Sequence, residues 1–188
     1  MNLIDTIASR RTIGRLVEPA PGEAALAQAF QAAMAAPDHK RLRPWRFLVI
    51  QGEGRKELGK LLAGALKARK PETSDADLAR EAEKPLRAPM LIAAIARVKA
   101  DAGIPEIEQI LSAGAATQNL MLALHAQGFG SAWKTGAGCY DAGVKAGLGL
   151  APGDQLLGLI YVGSIPAAPP SLPAPDYRDY VSAWGGSG

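Results

Sequence analysis

The sequence predicts an α+β fold in which helices flank a mixed central sheet. Amphipathic stretches with helical periodicity alternate along the chain with short, continuous apolar runs of the kind that form buried strands. Aromatic residues make up only 5% of the chain, whereas alanine and glycine are abundant, which favours closely packed helices over an aromatic-rich β-sandwich. At least one helical stretch separates each pair of successive strands, so the sheet is not expected to be built from β-hairpins.

Length and composition predict one domain. The chain has 188 residues, of which 48% are hydrophobic, enough for a single sizeable core. We therefore expect one domain over residues 1–188. Its last part, residues 165–188, is rich in proline at its start and is expected to form an extended C-terminal arm.

The first elements are two helices. Residues 2–9 place Leu3, Ile4 and Ile7 on one helical face, and this helix ends in paired arginines, where the helix dipole favours cations. Residues 23–36 are strong helix formers and stop before a proline, which predicts the second helix.

The middle of the chain predicts a strand on either side of a helical region. Residues 46–51 form a β-branched and aromatic run typical of a buried strand, and a helix follows over 53–70. The charged stretch 71–87 is expected to be an exposed segment that contains a short helix over 75–83. Thr73 or Ser74 could cap this helix. Residues 89–98 are continuously apolar and are expected in the middle of the sheet.

The remaining elements alternate between helix and strand. The longest helix is predicted over 105–127, and its middle, 112–116, is small on every face, so we expect it to pack on several sides. A glycine-opened strand over 128–136 follows, then a short helix over 141–148 and a fourth strand over 155–163.

Charge and cysteine content restrict the class of protein. The net charge is +3, with lysine and arginine spread along the chain, so no nucleic-acid partner is expected. The single cysteine, Cys139, cannot form an intrachain disulfide. The N-terminus lacks a basic start followed by an apolar run, and no stretch reaches the roughly 18 apolar residues of a membrane span, so a cytoplasmic protein without membrane contacts is predicted.

The usual catalytic side chains are scarce. His39 and His125 are the only histidines and neither has a second ligand at metal-binding spacing, so no metal is predicted. The glycines at 128 and 130 follow a helix and lack the third glycine of the dinucleotide fingerprint. No Gly-x-Ser-x-Gly elbow is present. If the chain is an enzyme, its reactive group is expected to be a cofactor.

Three segments combine cations with hydrogen-bond donors and could hold such a cofactor. They are Ser9-Arg10-Arg11-Thr12, the stretch 35–40 with Pro44-Trp45-Arg46-Phe47 behind it, and residues 130–136. Guanidinium and hydroxyl donors suit a phosphate group. Taken alone, however, paired arginines more often mark the solvent-exposed end of a helix.

Together these segments resemble the FMN-dependent nitroreductase family, in particular its compact branch of NAD(P)H nitroreductases. The resemblance rests on the helix ending Arg-Arg-Thr, the Met-x-Ala-Pro-Asp-His-Lys-x-x-x-Pro-Trp-x-Phe block at 34–47, and Ala-Gln-Gly-Phe-Gly-x-x-Trp-Lys-Thr-Gly at 126–136. It spans about residues 2–163 and includes Arg87-Ala88-Pro89 before a strand and Leu-Ile-Tyr-Val-Gly at 159–163.

The resemblance implies a mainly antiparallel sheet and a homodimer with two FMN sites at the subunit interface. It implies that Arg10, Arg11 and Thr12 hold the FMN phosphate and ribityl chain, and that Trp133, Lys134 and Thr135 lie along the flavin of the same subunit. Ala35 and His39 would reach the flavin of the other subunit. The stretch Ala123, Leu124, His125, Ala126, Gln127 and Gly128 would contact NADH or NADPH.

Several of these residues have an alternative structural role. Trp133 could belong to the hydrophobic core instead of lining the cofactor site. Lys134 could be a solvent-exposed residue at the end of a strand, although a cation there would stabilise an anionic reduced flavin. His39 lies in a loop, which favours a functional role. His125 lies near a helix C-terminus, which favours a structural one.

The leading hypothesis is an oxidoreductase that passes electrons from NAD(P)H through FMN to a small oxidised acceptor such as a nitroaromatic or a quinone. Two alternatives stay open. The chain could use FMN for reductive dehalogenation or enoate reduction, or it could be a non-catalytic flavin-binding module.

Overall fold

The computed structural model describes residues 2–168 and 173–185, so part of the predicted C-terminal arm, 169–172 and 186–188, lies outside the described residues. The helices and strands are α1 (Leu3–Ser9), α2 (Glu23–Ala33), β1 (Trp45–Gln51), α3 (Glu53–Arg69), α4 (Asp75–Glu83), β2 (Met90–Ala96), α5 (Glu106–Ala126), β3 (Phe129–Lys134), α6 (Ala137–Tyr140), α7 (Ala142–Gly147) and β4 (Gln155–Ser164). Short 3₁₀ turns occupy His39–Arg41, Lys84–Arg87, Ala100–Ala102 and Tyr177–Asp179.

The four strands form one sheet in the order β1-β2-β4-β3, and every neighbouring pair is antiparallel. The described residues add one parallel contact, an isolated bridge between Thr12 and Ser131 beside β3. The α+β class and the mainly antiparallel sheet are therefore confirmed. The prediction that β1 is a buried strand was wrong: it has a neighbour on one side only, and its residues are half-buried or exposed.

The central strand β2 explains the layered core, because all seven of its residues are buried. Successive side chains of a strand point to opposite faces, so a strand buried throughout needs cover on both sides. Leu91 and Ile95 join the core beneath α3, α6 and α7. Ile92 and Ala94 join the other core, beneath α2 and α5.

Local capping sets where the short helices begin. Asn2 accepts a hydrogen bond from the Asp5 backbone N–H at 2.9 Å, which starts α1, and Ser74 does the same for α4 through Asp77 at 3.2 Å. Asp141 caps α7 through the Val144 N–H at 3.0 Å. A side-chain oxygen in this position pairs one of the N–H groups that a helix start leaves open.

The long helix α5 is exposed mainly in its first turns and is buried or half-buried along its middle. Ala116, Leu120 and Leu124 are fully buried against α2 and the sheet. Ile107 and Leu111, nearer its start, are 58% and 64% exposed. None of residues 112–116 is exposed, which is consistent with the expected packing of this segment on several sides. Among the described residues no helix, α5 included, is both long enough and apolar enough to cross a membrane.

A glycine sets the distance between α3 and α4. A Cβ atom built on Gly59 would overlap the backbone carbonyl of Ala82 in α4, whereas a Cβ on Gly64 of the same helix would meet nothing within 4 Å. The two helices can therefore approach closely only because residue 59 has no side chain.

We expect Gly59→Ala to lower the free energy of unfolding by about 1–3 kcal/mol, the usual cost of overpacking. Gly64→Ala is the matched control and should raise it by roughly 0.5–1 kcal/mol, since alanine is the better helix former at an open position. Urea unfolding followed by circular dichroism measures both variants. Equal effects of the two substitutions would show that the Ala82 contact does not restrict residue 59.

Candidate functional site

The segment after α1 runs along the outer edge of β3. The Ile13 backbone N–H donates to the Ser131 carbonyl at 3.2 Å, and Thr12 pairs with the same residue in the isolated bridge. A side chain at Gly130 would overlap those of Leu16 and Ile165, so the glycine permits this close approach. The contacts hold Arg10, Arg11 and Thr12 beside the strand that leads to Trp133.

Arg10 and Arg11 have different surroundings. Arg11 Nη1 donates to the backbone carbonyls of Ala8 and Arg10, at 2.6 and 3.0 Å. Arg10 Nη1 is buried and has no hydrogen-bond partner among the described residues. A buried charged donor without an acceptor costs free energy, so this atom fits an anionic oxygen supplied by a ligand.

His125 lies next to the paired arginines, near the C-terminus of α5. Its Nε2 atom is 3.0 Å from the Ser9 hydroxyl. Partial burial lowers the pKa of His125, and the positive charges of Arg10 and Arg11 lower it further. The imidazole is therefore held toward its neutral form by the same charges that would attract an anion.

Trp133 and Lys134 end β3, and their side chains lie on opposite faces of the sheet. Trp133 is half-buried against the core formed with α2 and α5, and its indole N–H donates to the Leu157 carbonyl at 2.9 Å. Lys134 and Thr135 are exposed. The tryptophan is thus partly core, on the face of the sheet that α2 and α5 cover, whereas Lys134 and Thr135 are open to solvent.

A cleft begins where β3 ends and extends between α3 and α4; we call it the α3–α4 cleft. Its volume is about 340 Å³. It is lined by Gly14, Leu62, Leu66, Arg69, Glu81, Lys84, Arg87, Lys134, Thr135, Gly136, Ala137, Gly138, Cys139, Leu159 and Tyr161. Of these residues only Lys134 and Thr135 were predicted site residues. The others come together from distant parts of the chain, and the sequence signals among them were parts of the resemblance: Arg87-Ala88-Pro89, the motif at 159–163, and Gly136 at the end of the motif at 126–136.

The loop that carries His39 lies at the other end of α5. His39 Nδ1 is 2.8 Å from a carboxylate oxygen of Glu108, in the first turn of that helix. The Asp38 carboxylate holds the loop by accepting the backbone N–H groups of Leu42 and Arg43, at 3.1 and 2.7 Å. Ala35 and His39 are both exposed.

The predicted cofactor residues therefore form two separate groups in one chain. Glu108, which contacts His39, and His125, which lies beside the paired arginines, are about 25 Å apart along α5 at roughly 1.5 Å per residue. The fold brings Arg10–Thr12 to the strand carrying Trp133–Thr135. It does not bring Ala35 or His39 to them.

The stretch predicted to contact a nicotinamide nucleotide ends α5, and part of it is engaged within the chain. Leu124 is fully buried in the core, and the Gln127 side-chain amide donates to the Ala25 and Ala123 carbonyls at 3.3 and 3.0 Å. Ala126 and Gly128 are exposed. Within the described ranges, no group of three or more His, Cys, Asp or Glu side chains is placed to hold a metal ion.

The chain is similar to known proteins. The model of the nitroreductase family matches residues 7–164. YdjA of Escherichia coli K12, which carries the name of an NAD(P)H nitroreductase, is 36% identical over 183 residues, covering 97% of this chain and 99% of YdjA. This chain belongs to the nitroreductase family.

Solved structures show the same fold. A nitroreductase-like family protein from Bacillus cereus superposes with a TM-score of 0.85 at 23% identity, over 99% of this chain and 97% of that one. A variant of NfnB from Sphigopyxis sp. strain HMH, described as FMN- and NADPH-dependent, superposes with a TM-score of 0.77 at 19% identity, over 98% and 100% of the two chains.

We expect Arg10→Gln to raise the pKa of His125, because it removes one of the two positive charges that lower it. Inorganic phosphate bound beside Arg10 should act in the same direction by neutralising that charge. Proton NMR titration of the imidazole resonances measures the change, and the chain has only two histidines to assign. Lys56→Gln on α3 removes a charge elsewhere and should leave this pKa unchanged. A fall in the pKa of His125 on either treatment would contradict the expectation.

Proposed function

We propose that the protein is a homodimeric, FMN-dependent oxidoreductase that passes electrons from NADH or NADPH to a small oxidised acceptor such as a nitroaromatic or a quinone. The observation that carries the proposal is the buried Nη1 atom of Arg10, which has no partner among the described residues and lies beside β3. Membership of the nitroreductase family and the NAD(P)H nitroreductase name of YdjA support the same chemistry.

The residues beside β3 fit an FMN molecule laid along the strand. Arg10, Arg11 and Thr12 supply cationic and hydroxyl donors for the phosphate. From Ser131, where this segment is attached, to Lys134 the strand spans about 10 Å at roughly 3.3 Å per residue. That distance is comparable to the separation of phosphate and ring in FMN, so Trp133, Lys134 and Thr135 would lie along the ring.

The redox chemistry, transfer of hydride and electrons, would be supplied by bound FMN. The side chains would bind and orient. Lys134, exposed at the end of β3, would provide a positive charge near the ring, and the half-buried Trp133 would contribute apolar surface at the same strand end. The exposed residues Ala126 and Gly128 at the end of α5 remain the proposed contact for the nicotinamide nucleotide.

The proposed dimer uses the side of α5 on which Ile107 and Leu111 are exposed. Ile107, Leu111 and Gly114 lie at helical spacing on that side, and the first two expose large apolar side chains. A Cβ on Gly114 would meet nothing within 4 Å, so a second helix could approach closely there. Contiguous apolar surface of this kind is typical of an interface.

A twofold axis near the middle of α5 would also join the two groups of cofactor residues. Such an axis pairs two copies of α5 in antiparallel fashion, so the Glu108 end of one helix meets the His125 end of the other. Ala35 and His39 of one subunit would then approach the phosphate and ring residues of its partner. Their separation of about 25 Å within one chain supports a site shared between subunits.

We expect the purified protein to be yellow with bound FMN, and Arg10→Ala to weaken FMN binding by about tenfold or more, through loss of a charge-assisted phosphate contact. His39→Ala should weaken it less, because it removes at most a neutral hydrogen bond. Lys56→Ala is the control for loss of a surface charge. Flavin fluorescence titration gives the three dissociation constants. A colourless wild-type protein that takes up no added FMN would overturn the proposal.

Gly114→Leu should shift the protein toward monomer and release FMN, because a large side chain would prevent close approach of two α5 helices. Gly64→Leu is the matched control, since Gly64 also has open space around it but lies on α3. Light scattering and flavin fluorescence are measured on the same sample. A monomeric Gly114→Leu variant that keeps its flavin would show that the site is complete within one subunit.

A further inference from the structure

We propose that the loop over residues 38–43, here called the basic loop, binds the 2′-phosphate of NADPH, so that the protein uses NADPH in preference to NADH. The inference rests on the proposed function and deepens it, because it names the electron donor and the group by which the donor is recognised. Lys40, Arg41 and Arg43 would hold the phosphate, with Arg97 beside them.

The first observation is the number of unpaired positive charges on and next to the basic loop. Lys40, Arg41 and Arg43 are exposed, and so is Arg97, which follows β2. The Arg97 backbone N–H donates to the Pro44 carbonyl at 2.6 Å, which places this residue directly beside the end of the loop. None of the four cationic side chains has an ion pair or a hydrogen bond within the described ranges. Cations clustered in this way favour an anionic ligand.

The second observation is that the carboxylates of this region do not neutralise those charges. The half-buried Asp38 accepts two backbone N–H groups of its own loop, and Glu108 contacts His39. Glu106 accepts a hydrogen bond from a side-chain amide of β4 at 3.5 Å. Asp101 is exposed and forms no ion pair with another described residue. The positive charge of the basic loop is therefore left for a ligand.

The third observation is the backbone conformation of the basic loop. Lys40, Arg41 and Arg43 have φ angles of 57°, 55° and 49°, in the left-handed region that residues other than glycine rarely adopt. Residues held in this region cost free energy, and they cluster where proteins bind ligands. Lys99 Nζ helps to hold the loop in this shape by donating to the Leu42 carbonyl at 3.0 Å. A loop fixed in an unfavourable conformation, with its cations unpaired, is preorganised for a ligand.

In the proposed dimer the basic loop lies close to the proposed contact for the nicotinamide nucleotide. The loop contains His39, so it lies at the Glu108 end of α5. Antiparallel pairing of the two α5 helices brings that end to Ala126 and Gly128 of the partner subunit, which are the proposed contact. One subunit would therefore contact the nucleotide directly, and the other would supply cations for its phosphate groups.

The charge of the basic loop matches the 2′-phosphate better than the pyrophosphate. A phosphate monoester carries close to two negative charges at neutral pH, because its second pKa is about 6, whereas each phosphate of the pyrophosphate carries a single charge. Arginine side chains match the terminal oxygens of such a monoester through bidentate contacts. NADH lacks this group, so the same cations would discriminate between the two electron donors.

The test compares NADP⁺ with NAD⁺, and adenosine 2′,5′-bisphosphate with adenosine 5′-monophosphate, on the FMN-loaded protein. Isothermal titration calorimetry gives the dissociation constants, and reduction of menadione by NADPH and by NADH gives the ratio of kcat/KM. We expect the ligand with the 2′-phosphate to bind about tenfold or more tightly in each pair. The double variant Arg41→Gln with Arg43→Gln should lose most of that preference and bind NAD⁺ unchanged. Lys60→Gln, which removes an exposed charge from α3, should alter neither affinity.

Arg41→Lys with Arg43→Lys keeps the charge and should restore part of the preference. Equal losses of NADP⁺ and NAD⁺ affinity in the glutamine variant would overturn the inference, because the cations would then contact a group common to both. A glutamine variant that binds FMN more weakly but keeps its preference for NADP⁺ would also overturn it. Equal turnover of the wild type with NADPH and NADH would overturn the inference and leave the proposed function standing. If NADP⁺ binding depends on Arg41 and Arg43 but neither electron donor supports turnover, the proposed function fails while the phosphate site stands.

Discussion

The need to cover both faces of one strand organises this molecule. β2 has no polar side chain and no exposed residue, so each face must be buried against helices. α3, α6 and α7 cover one face, and α2 and α5 cover the other. The predicted ligand-binding residues lie outside this covered region: Arg10–Thr12 beside the outer edge of β3, Lys134 at the end of β3, and the His39 loop beside the first turn of α5.

The distribution of paired and unpaired cations separates structural from ligand-binding side chains. Arg69, Lys84 and Arg11 each have an acceptor inside the chain. The buried Nη1 atom of Arg10 and the unpaired Arg87 do not, among the residues described. Although the overall charge is only +3, the positive charges of Arg10 and Arg87 are therefore left for a bound partner to neutralise.

Local patterns in the sequence were enough to predict most elements, because periodicity, helix caps and prolines act over a few residues. The buried run of β2 and the serine cap of α4 are examples. The edge position of β1 was not predictable, since the same apolar run can lie at the centre or the edge of a sheet. α6 was missed because its four residues, Ala137–Tyr140, are too few to show a period. The cleft was missed because Arg69, Arg87 and Tyr161 meet only through tertiary packing.

The shape of the cleft depends on the close contact between Gly59 and Ala82. Leu62 and Leu66 lie on α3, while Glu81 and Lys84 belong to α4 and the turn that follows it. The apolar wall and part of the charged rim are thus carried by two helices whose spacing depends on the absence of one methyl group. Replacement of that glycine would shift the two helices relative to each other and so change the shape of the cleft without altering any residue that lines it. Divergence in the shape of this cleft within a lineage could therefore begin at a buried position that does not line it.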